Sequence, residues 1–451
     1  MPKIALIAPG TNPEFAVQEP LNLGYLASYL EAHNIDVVII DELAGQNVES
    51  ELKSLTPDIV GITAVTPLAP DAYRIANLCK KMGILTVMGG VHASILPQEA
   101  LKYVDIVVKG EGEEALLDIA RGNIDSKKIL TYPYIKDIDN IPPPARHLMQ
   151  MDFYLRSKDR KPKSYLQFVP PGTKVAALLT SRGCPYACTF CHNTWRGIPS
   201  RYNSPQRVIS EIKQLIKIYG IGALFFIEDN LFVNKKRIEK ICNLLIQNKI
   251  DILWGGNARV DNIDLDILKL AKKAGCRQVT FGFESGSQRI LNILNKKTTV
   301  EQNQKAIELC KKAGLLAQGT FIIGSPTETI EDIKKTQNFI RKNGLEEIVG
   351  VCIATPYPGT KLWEWCEQNN RIPKILSWND FNYSEVPIKV CDDISPEELK
   401  QLRIEVKYPD SPIDLMPSII KTIKNPMNFA KKVIRNPRRM IRNIKKLKFR
   451  L

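Results

Sequence analysis

The feature that most restricts this chain is an alternation that occurs twice. From residue 1 to about 125, short apolar runs separate segments of helical spacing. The runs are "KIALIAP", "IDVVIID", "DIVGITA", "ILTVMGG" and "DIVVKGE"; the helical segments are "LNLGYLASYLEAH", "DAYRIANLCKKM" and "EEALLDIARG". β-Branched runs bounded by Gly, Pro or Asp read as strands. Strands alternating with helices predict a doubly wound parallel sheet, which takes ligands at the carboxyl ends of its strands. Those ends are "TAVTP" with Thr63 and Thr66, "GGVHAS" with Gly89, Gly90 and His92, and "KGEGE" with Glu111 and Gly112. All are candidate cofactor-binding residues. Gly89 and Gly90 allow close backbone approach to a bulky ligand, although a tight strand-to-loop turn would use them equally well. No G-x-G-x-x-G follows the first strand, so no dinucleotide is signalled.

The alternation resumes between residues 171 and 375 with "VAALLTS", "ALFFIED", "DILWGGNAR", "CRQVTFGFES", "LAQGTFIIGSP" and "EIVGVCIATP". Six strand–helix units fall short of the eight of a closed barrel, so an α/β chain with a partial (β/α)6 barrel and a wide opening is predicted. Polar residues again collect at strand ends: Glu228 and Asp229, Arg259, Glu284 and Ser285, and Gly324 followed by Glu328. Ordinary roles compete for several of them. Asp229 or Asn230 could cap a helix, as could Ser285, and Arg259 could form a surface ion pair. The predicted division is a first domain over 1–130, a proline-containing linker over 131–170, the barrel over 171–375, an extension over 376–415 and a tail over 416–451.

The stretch "SRGCPYACTFCHN" holds Cys184, Cys188 and Cys191 in eight positions after the first barrel strand. Zinc could use these three with His192, but structural zinc sites draw on two separated pairs, and adjacent Cys191 and His192 do not easily face one ion. Soft thiolates suit an iron–sulfur cluster, and three of them on four irons leave one iron open to a substrate or cofactor. Phe190 lies within the same loop. The remaining seven cysteines show no paired spacing and read as buried packing; Cys366 and Cys391 as ligands of a second cluster is the weaker reading.

This C-x-x-x-C-x-x-C resembles the signature of the radical S-adenosylmethionine superfamily. The resemblance implies a [4Fe-4S] cluster on Cys184, Cys188 and Cys191. Its open iron would bind S-adenosylmethionine, which is cleaved to a 5′-deoxyadenosyl radical. It further implies that Glu228 and Asp229 hold the methionine ammonium, that Arg259 holds a carboxylate or ribose, and that Glu284 accepts from the ribose hydroxyls, with Ser285 a cofactor-site candidate beside it. Gly324, Glu328 and Phe190 would lie on the adenine side. Likewise "PLNLGYLASYL", "VGITAVTP", "GGVHAS" and "VVKGEGEEAL" resemble the cobalamin-binding domains in front of such enzymes. The D-x-H-x-x-G motif that gives cobalt a histidine is absent; none of His33, His92, His147 and His192 has that context. The resemblance as a whole implies a cobalamin-dependent enzyme that methylates or oxidatively cyclises a hydrophobic substrate, as in the anaerobic magnesium-protoporphyrin ester cyclases. It implies an electron donor such as flavodoxin or ferredoxin.

The net charge is +15, and residues 421–451 carry twelve Lys or Arg with no Asp or Glu; fifteen less those twelve leaves +3 for residues 1–420. Basicity is therefore a property of the tail, which argues against nucleic acid as the partner of the whole chain. Within the tail, Phe429, Val433, Met440, Ile441, Ile444 and Leu447 recur at helical spacing among cations, the pattern of a helix that lies on an anionic membrane. The start "MPKIALIAPG" lacks a signal-peptide core, and ten cysteines fit free thiols, so a cytoplasmic chain, peripheral at the inner membrane face, is expected. Two other functions compete. A transfer-RNA methylthiotransferase shares the barrel but carries cluster cysteines in its first domain, where this chain has only Cys79. A non-enzymatic metal-stabilised binding protein would leave the polar strand ends without a role.

Overall fold

The computed structural model describes residues 2–11, 18–124, 128–155, 169–192, 197–345 and 348–407; the basic tail lies outside these. The first unit runs β1 (Lys3–Ala8), α1 (Leu21–Glu31), β2 (Asp36–Asp41), α2 (Val48–Leu55), β3 (Ile59–Thr63), α3 (Ala69–Lys81), β4 (Leu85–Gly89), α4 (Gly90–Ile95), α5 (Pro97–Ala100), β5 (Ile106–Lys109), α6 (Glu113–Arg121) and β6 (Ile129–Thr131). Every pairing is parallel, in the order β2-β1-β3-β4-β5-β6. The chain winds outward from β1 to β2 and then returns to the other side of β1. That reversal opens a crevice at the carboxyl ends of β1 and β3. Alternate side chains build two cores. Leu6, Val87 and Val108 pack under α1 and α6, whereas Ile7, Ile62 and Met88 pack under α3. The five predicted strands are all present. The short β6 is additional, and "GGVHAS" is a helix entered directly from β4 rather than a loop.

The second unit comprises α7 (Met151–Leu155), β7 (Val175–Leu178), β8 (Ser181–Arg182), β9 (Arg201–Tyr202), α8 (Pro205–Tyr219), β10 (Ala223–Phe226), α9 (Lys235–Gln247), β11 (Leu253–Ala258), α10 (Leu265–Lys273), β12 (Cys276–Glu284), α11 (Gln288–Ile293), α12 (Val300–Ala313), β13 (Leu316–Ile323), α13 (Ile330–Lys342), β14 (Val349–Ile353), α14 (Lys361–Gln368) and α15 (Pro396–Lys407). Its sheet keeps chain order, β7-β10-β11-β12-β13-β14, and β7 and β14 form its two edges. The predicted partial barrel with six parallel strands is thus observed. The antiparallel pair β8–β9 is an addition beside the cysteine loop. Helix starts follow from caps: Ser204, Asp264 and Thr360 accept from the third backbone N–H beyond, and Thr299 and Thr329 form capping boxes.

Buried polar contacts join the two units. Arg146, in the linker, donates to Glu211 at 2.6 Å and to the Ala177 carbonyl at 2.9 Å. Glu19 accepts from Ala177 N, and the Tyr25 hydroxyl donates to the Leu179 carbonyl at 2.8 Å. The extension after residue 376 covers the edge at β14. Ile353 N donates to the Tyr383 carbonyl, and Arg403 Nε donates to the Val351 carbonyl, both at 2.9 Å. Among the described residues no helix is long and apolar enough to cross a membrane.

Candidate active site

Cys184, Cys188 and Cys191 sit on the loop after β8. The loop is pinned from outside: Thr189 N donates to the Leu294 carbonyl, Leu362 N donates to the Thr189 carbonyl, and Asn295 donates to the Ala187 carbonyl at 2.7 Å. Among the described residues, no three His, Cys, Asp or Glu side chains converge as they would on a single metal ion. Cys191 is exposed at the loop surface, yet desolvation by the loop and the charges of Asp229, Cys188 and Cys184 raise its thiol; burial likewise raises Cys184. A bound cation would stabilise these groups as thiolates, and its binding would release protons. Arg259 provides part of the counter-charge. It is buried, its NH1 lies 3.8 Å from Cys188 Sγ, and its guanidinium covers the Tyr186 ring at 3.6 Å.

The adjacent strand-end residues Glu228 and Asp229 point opposite ways. Glu228 is buried behind the sheet, where Thr180, Ser181 and Arg237 take up its oxygens. Asp229 faces a cavity and is reached by solvent through it. The enclosing walls and the nearby Glu228 raise its pKa. Glu284 adopts φ +61° at a break in the β12–β13 register and accepts from Lys296 at 2.7 Å. Lys296 also belongs to the electrostatic surroundings of Cys191, and its carbonyl accepts from Arg259 at 2.7 Å. Lys296 lies in the irregular stretch between α11 and α12, where no period singles it out in the sequence.

The cavity, of about 320 Å³, lies between the two units. Thr63, Gly89, Gly90, Glu111 and Gly112 line it from the first sheet. Ser181, Arg182, Gly183 and Asp229 line it from the barrel side. Its inner part is an apolar slot between the sheet and α1 and α6, formed by Leu6, Leu23, Leu26, Val87, Val108 and Leu116. Gly90 is required at its position: its φ is +87°, and a Cβ would meet Thr63 Oγ1 at 2.7 Å.

Residues 16–120 match the B12 binding domain, and residues 178–340 match the radical SAM superfamily. An uncharacterized methyltransferase of Pyrococcus horikoshii is 34% identical over 439 residues, covering 89% of this chain and 91% of its own. The anaerobic magnesium-protoporphyrin IX monomethyl ester cyclase of Rubrivivax gelatinosus is 30% identical over 415 residues, covering 84% and 71%. The chain belongs to the B12-binding radical SAM enzymes. The fold agrees with that of the cobalamin-dependent S-adenosylmethionine radical enzyme OxsB, solved with aqua-cobalamin and S-adenosylmethionine bound. The TM-score is 0.73 at 18% identity, covering 98% of this chain and 72% of that one.

In this radical SAM enzyme not every predicted site residue reaches the cavity. His92 and Thr66 turn away from it into the opposite core. There His92 Nε2 is 2.9 Å from the Tyr73 hydroxyl, which donates to Glu99, and Glu99 accepts from Trp378 of the extension. Because α4 begins at Gly90, His92 is carried round to the far face of the sheet. Ser285 Oγ meets Thr336 and accepts from Ser287 N, which shapes the loop after β12 and caps no helix. Gly324 lies under Leu399 of α15, where a Cβ would sit 3.1 Å away. Glu328 is buried beside Cys391, which donates to its carbonyl. Phe190 packs on the cluster of Ala354, Leu362 and Phe381. Cys366 and Cys391 are both buried as free thiols.

Proposed function

We propose that this enzyme methylates or oxidatively cyclises a hydrophobic substrate, using cobalamin, S-adenosylmethionine and a [4Fe-4S] cluster held by Cys184, Cys188 and Cys191. The observation that carries this reading is the shared cavity. The carboxyl ends of the first sheet and the residues flanking Cys184 form two walls of one space. The donors suit these groups: Cys184, Cys188 and Cys191 in one loop would hold a cluster with an iron left open, and the apolar slot lined by Leu6, Leu26, Val87 and Val108, with Gly89 and Gly90 at the same cavity, would receive part of a corrinoid. When bound, these cofactors supply the carbon-centred radical and the methyl group. The chain's own part is binding and orientation. Asp229 is free to accept from the ammonium of S-adenosylmethionine, and Arg259 and Lys296 place positive charge beside the thiolate loop. The reading of the substrate as hydrophobic, in the class of lipids, isoprenoids or porphyrins, rests on the tetrapyrrole named for the cyclase relative and on the amphipathic tail. A small electron-carrier protein would reduce the cluster.

The deciding experiment is anaerobic equilibrium dialysis with hydroxocobalamin, followed by reconstitution with iron and sulfide and assay of 5′-deoxyadenosine. Retention of cobalamin with about four irons per chain supports the reading. Tight zinc without iron–sulfur absorbance, or no cobalamin retention, overturns it.

A further inference from the structure

Glu111, Glu113 and Arg182 line one wall of the cavity, and Arg201 pairs with Glu111 to complete a set of four charged side chains. Arg182 NH1 donates to Glu111 Oε1 at 2.6 Å, and its NH2 donates to Glu113 Oε1 at 2.5 Å. Arg201 NH1 reaches both oxygens of Glu111, at 2.9 and 3.0 Å, and the Ile135 carbonyl at 2.7 Å. Ile135 N donates to Glu111 Oε2 at 2.6 Å. Two carboxylates meet two guanidinium groups, so the set is neutral, and the four side chains are between 4% and 13% exposed.

The position of this quartet matters more than its strength. Glu111 and Glu113 flank Gly112 on the corrinoid side of the cavity. Arg182 is separated from Cys184 by Gly183 alone. The pairing is therefore a direct covalent and ionic route from the first sheet to the cysteine loop. It does not hold the two units together by itself, because Arg146–Glu211, Glu19–Ala177 and Tyr25–Leu179 join them elsewhere. A planar fork that bridges two carboxylates fixes both distance and angle, which a lysine cannot do.

We propose that Arg182, Glu111, Glu113 and Arg201 are positioning residues that fix the distance between the corrinoid slot and the cysteine loop. This rests on the cofactor reading above. The test uses the reconstituted full chain carrying cob(II)alamin and the one-electron-reduced cluster, two paramagnets whose dipolar coupling falls with the cube of their separation. Pulsed dipolar spectroscopy, with continuous-wave line broadening for short separations, gives the distance distribution. Arg182→Lys and the milder Glu113→Gln are compared with wild type, and Arg371→Lys, at the remote pair with Asp392, serves as the control.

The expected result, read on the cofactor-loaded fraction of each chain, is a distribution broadened about twofold or shifted in both quartet variants and unchanged in the control. Distributions identical to wild type overturn the proposal. Loss of cobalamin from wild type instead overturns the cofactor reading beneath it. If Arg182→Lys fails to fold, Glu113→Gln alone decides. If neither quartet variant folds, the quartet is structural and the proposal is overturned.

Discussion

Lys296 donates to Glu284 across 2.7 Å at the mouth of the barrel, and the contact exists because residue 282 has no side chain. A Cβ at Gly282 would lie 2.2 Å from Glu284 Oε1 and 2.8 Å from Lys296 Nζ. Gly282→Ala is expected to separate the pair and cost about 3 kcal/mol, since both groups are buried and breaking such a pair leaves an uncompensated charge. Lys296→Met should cost as much, and Lys296→Met with Glu284→Leu should cost less than Lys296→Met alone. Denaturant unfolding of the cofactor-free chains checks the order; a Gly282→Ala chain as stable as wild type contradicts it.

Replacing Cys184, Cys188 and Cys191 together with Ala should abolish iron loading and 5′-deoxyadenosine formation and leave the fold intact. Iron content and far-ultraviolet dichroism are the readouts. Replacing Cys366 and Cys391 should leave iron content unchanged, because both are buried free thiols, Cys366 within an apolar cluster and Cys391 donating to the Glu328 carbonyl.

Burial raises the Glu328 carboxyl from 4.5 to about 8, so the native chain keeps it protonated at neutral pH. Between those values the unfolded chain releases this proton and the native chain does not, so stability attributable to Glu328 falls as pH rises. Below 4.5 both states hold the proton, and above 8 both have lost it. Glu328→Gln should therefore gain on wild type from pH 5 to pH 8.5, by a few kcal/mol at most. Melting temperatures across that range decide; parallel curves would show that the carboxyl titrates normally.

Leu26 is half-buried and lines the apolar slot. Leu26→Trp should fill part of it and weaken hydroxocobalamin retention about tenfold or more, with little change in melting temperature. Equal retention would place the corrinoid outside the slot.

The strands and the three-cysteine loop were legible in the sequence because both are local patterns: apolar runs in one case and spacing in the other. The directions of side chains were harder to read. Glu228 and Asp229 look equivalent as letters, but neighbouring positions at a strand end face opposite sides, and only Asp229 faces the cavity. His92 stands at a strand end in the sequence, but the helix starting at Gly90 carries it to the other face, where its surroundings include Trp378 from far along the chain. Glu111 lines the cavity as its strand-end position suggests, and its carboxylate is taken up by Arg182 and Arg201, a pairing across long separations that no period announces.

The tail remains open to a direct test. Full-length chain should float with anionic vesicles at physiological salt, and a chain ending near Pro417 should not, because each basic residue near such a surface contributes roughly 1 kcal/mol. Equal behaviour of the two would remove the membrane reading and its hint about the substrate.

The edge at β14 is covered by a length of chain that belongs to neither strand–helix alternation. Its contacts with the barrel include main-chain bonds at Ile353 and Val351 and the packing of Leu399 over Gly324. That length could be exchanged without disturbing a strand pairing in either sheet. Unpaired main-chain groups at a sheet edge invite pairing with a second chain; here Ile353 N and the Val351 carbonyl are taken up from within, which blunts that edge against edge-to-edge association.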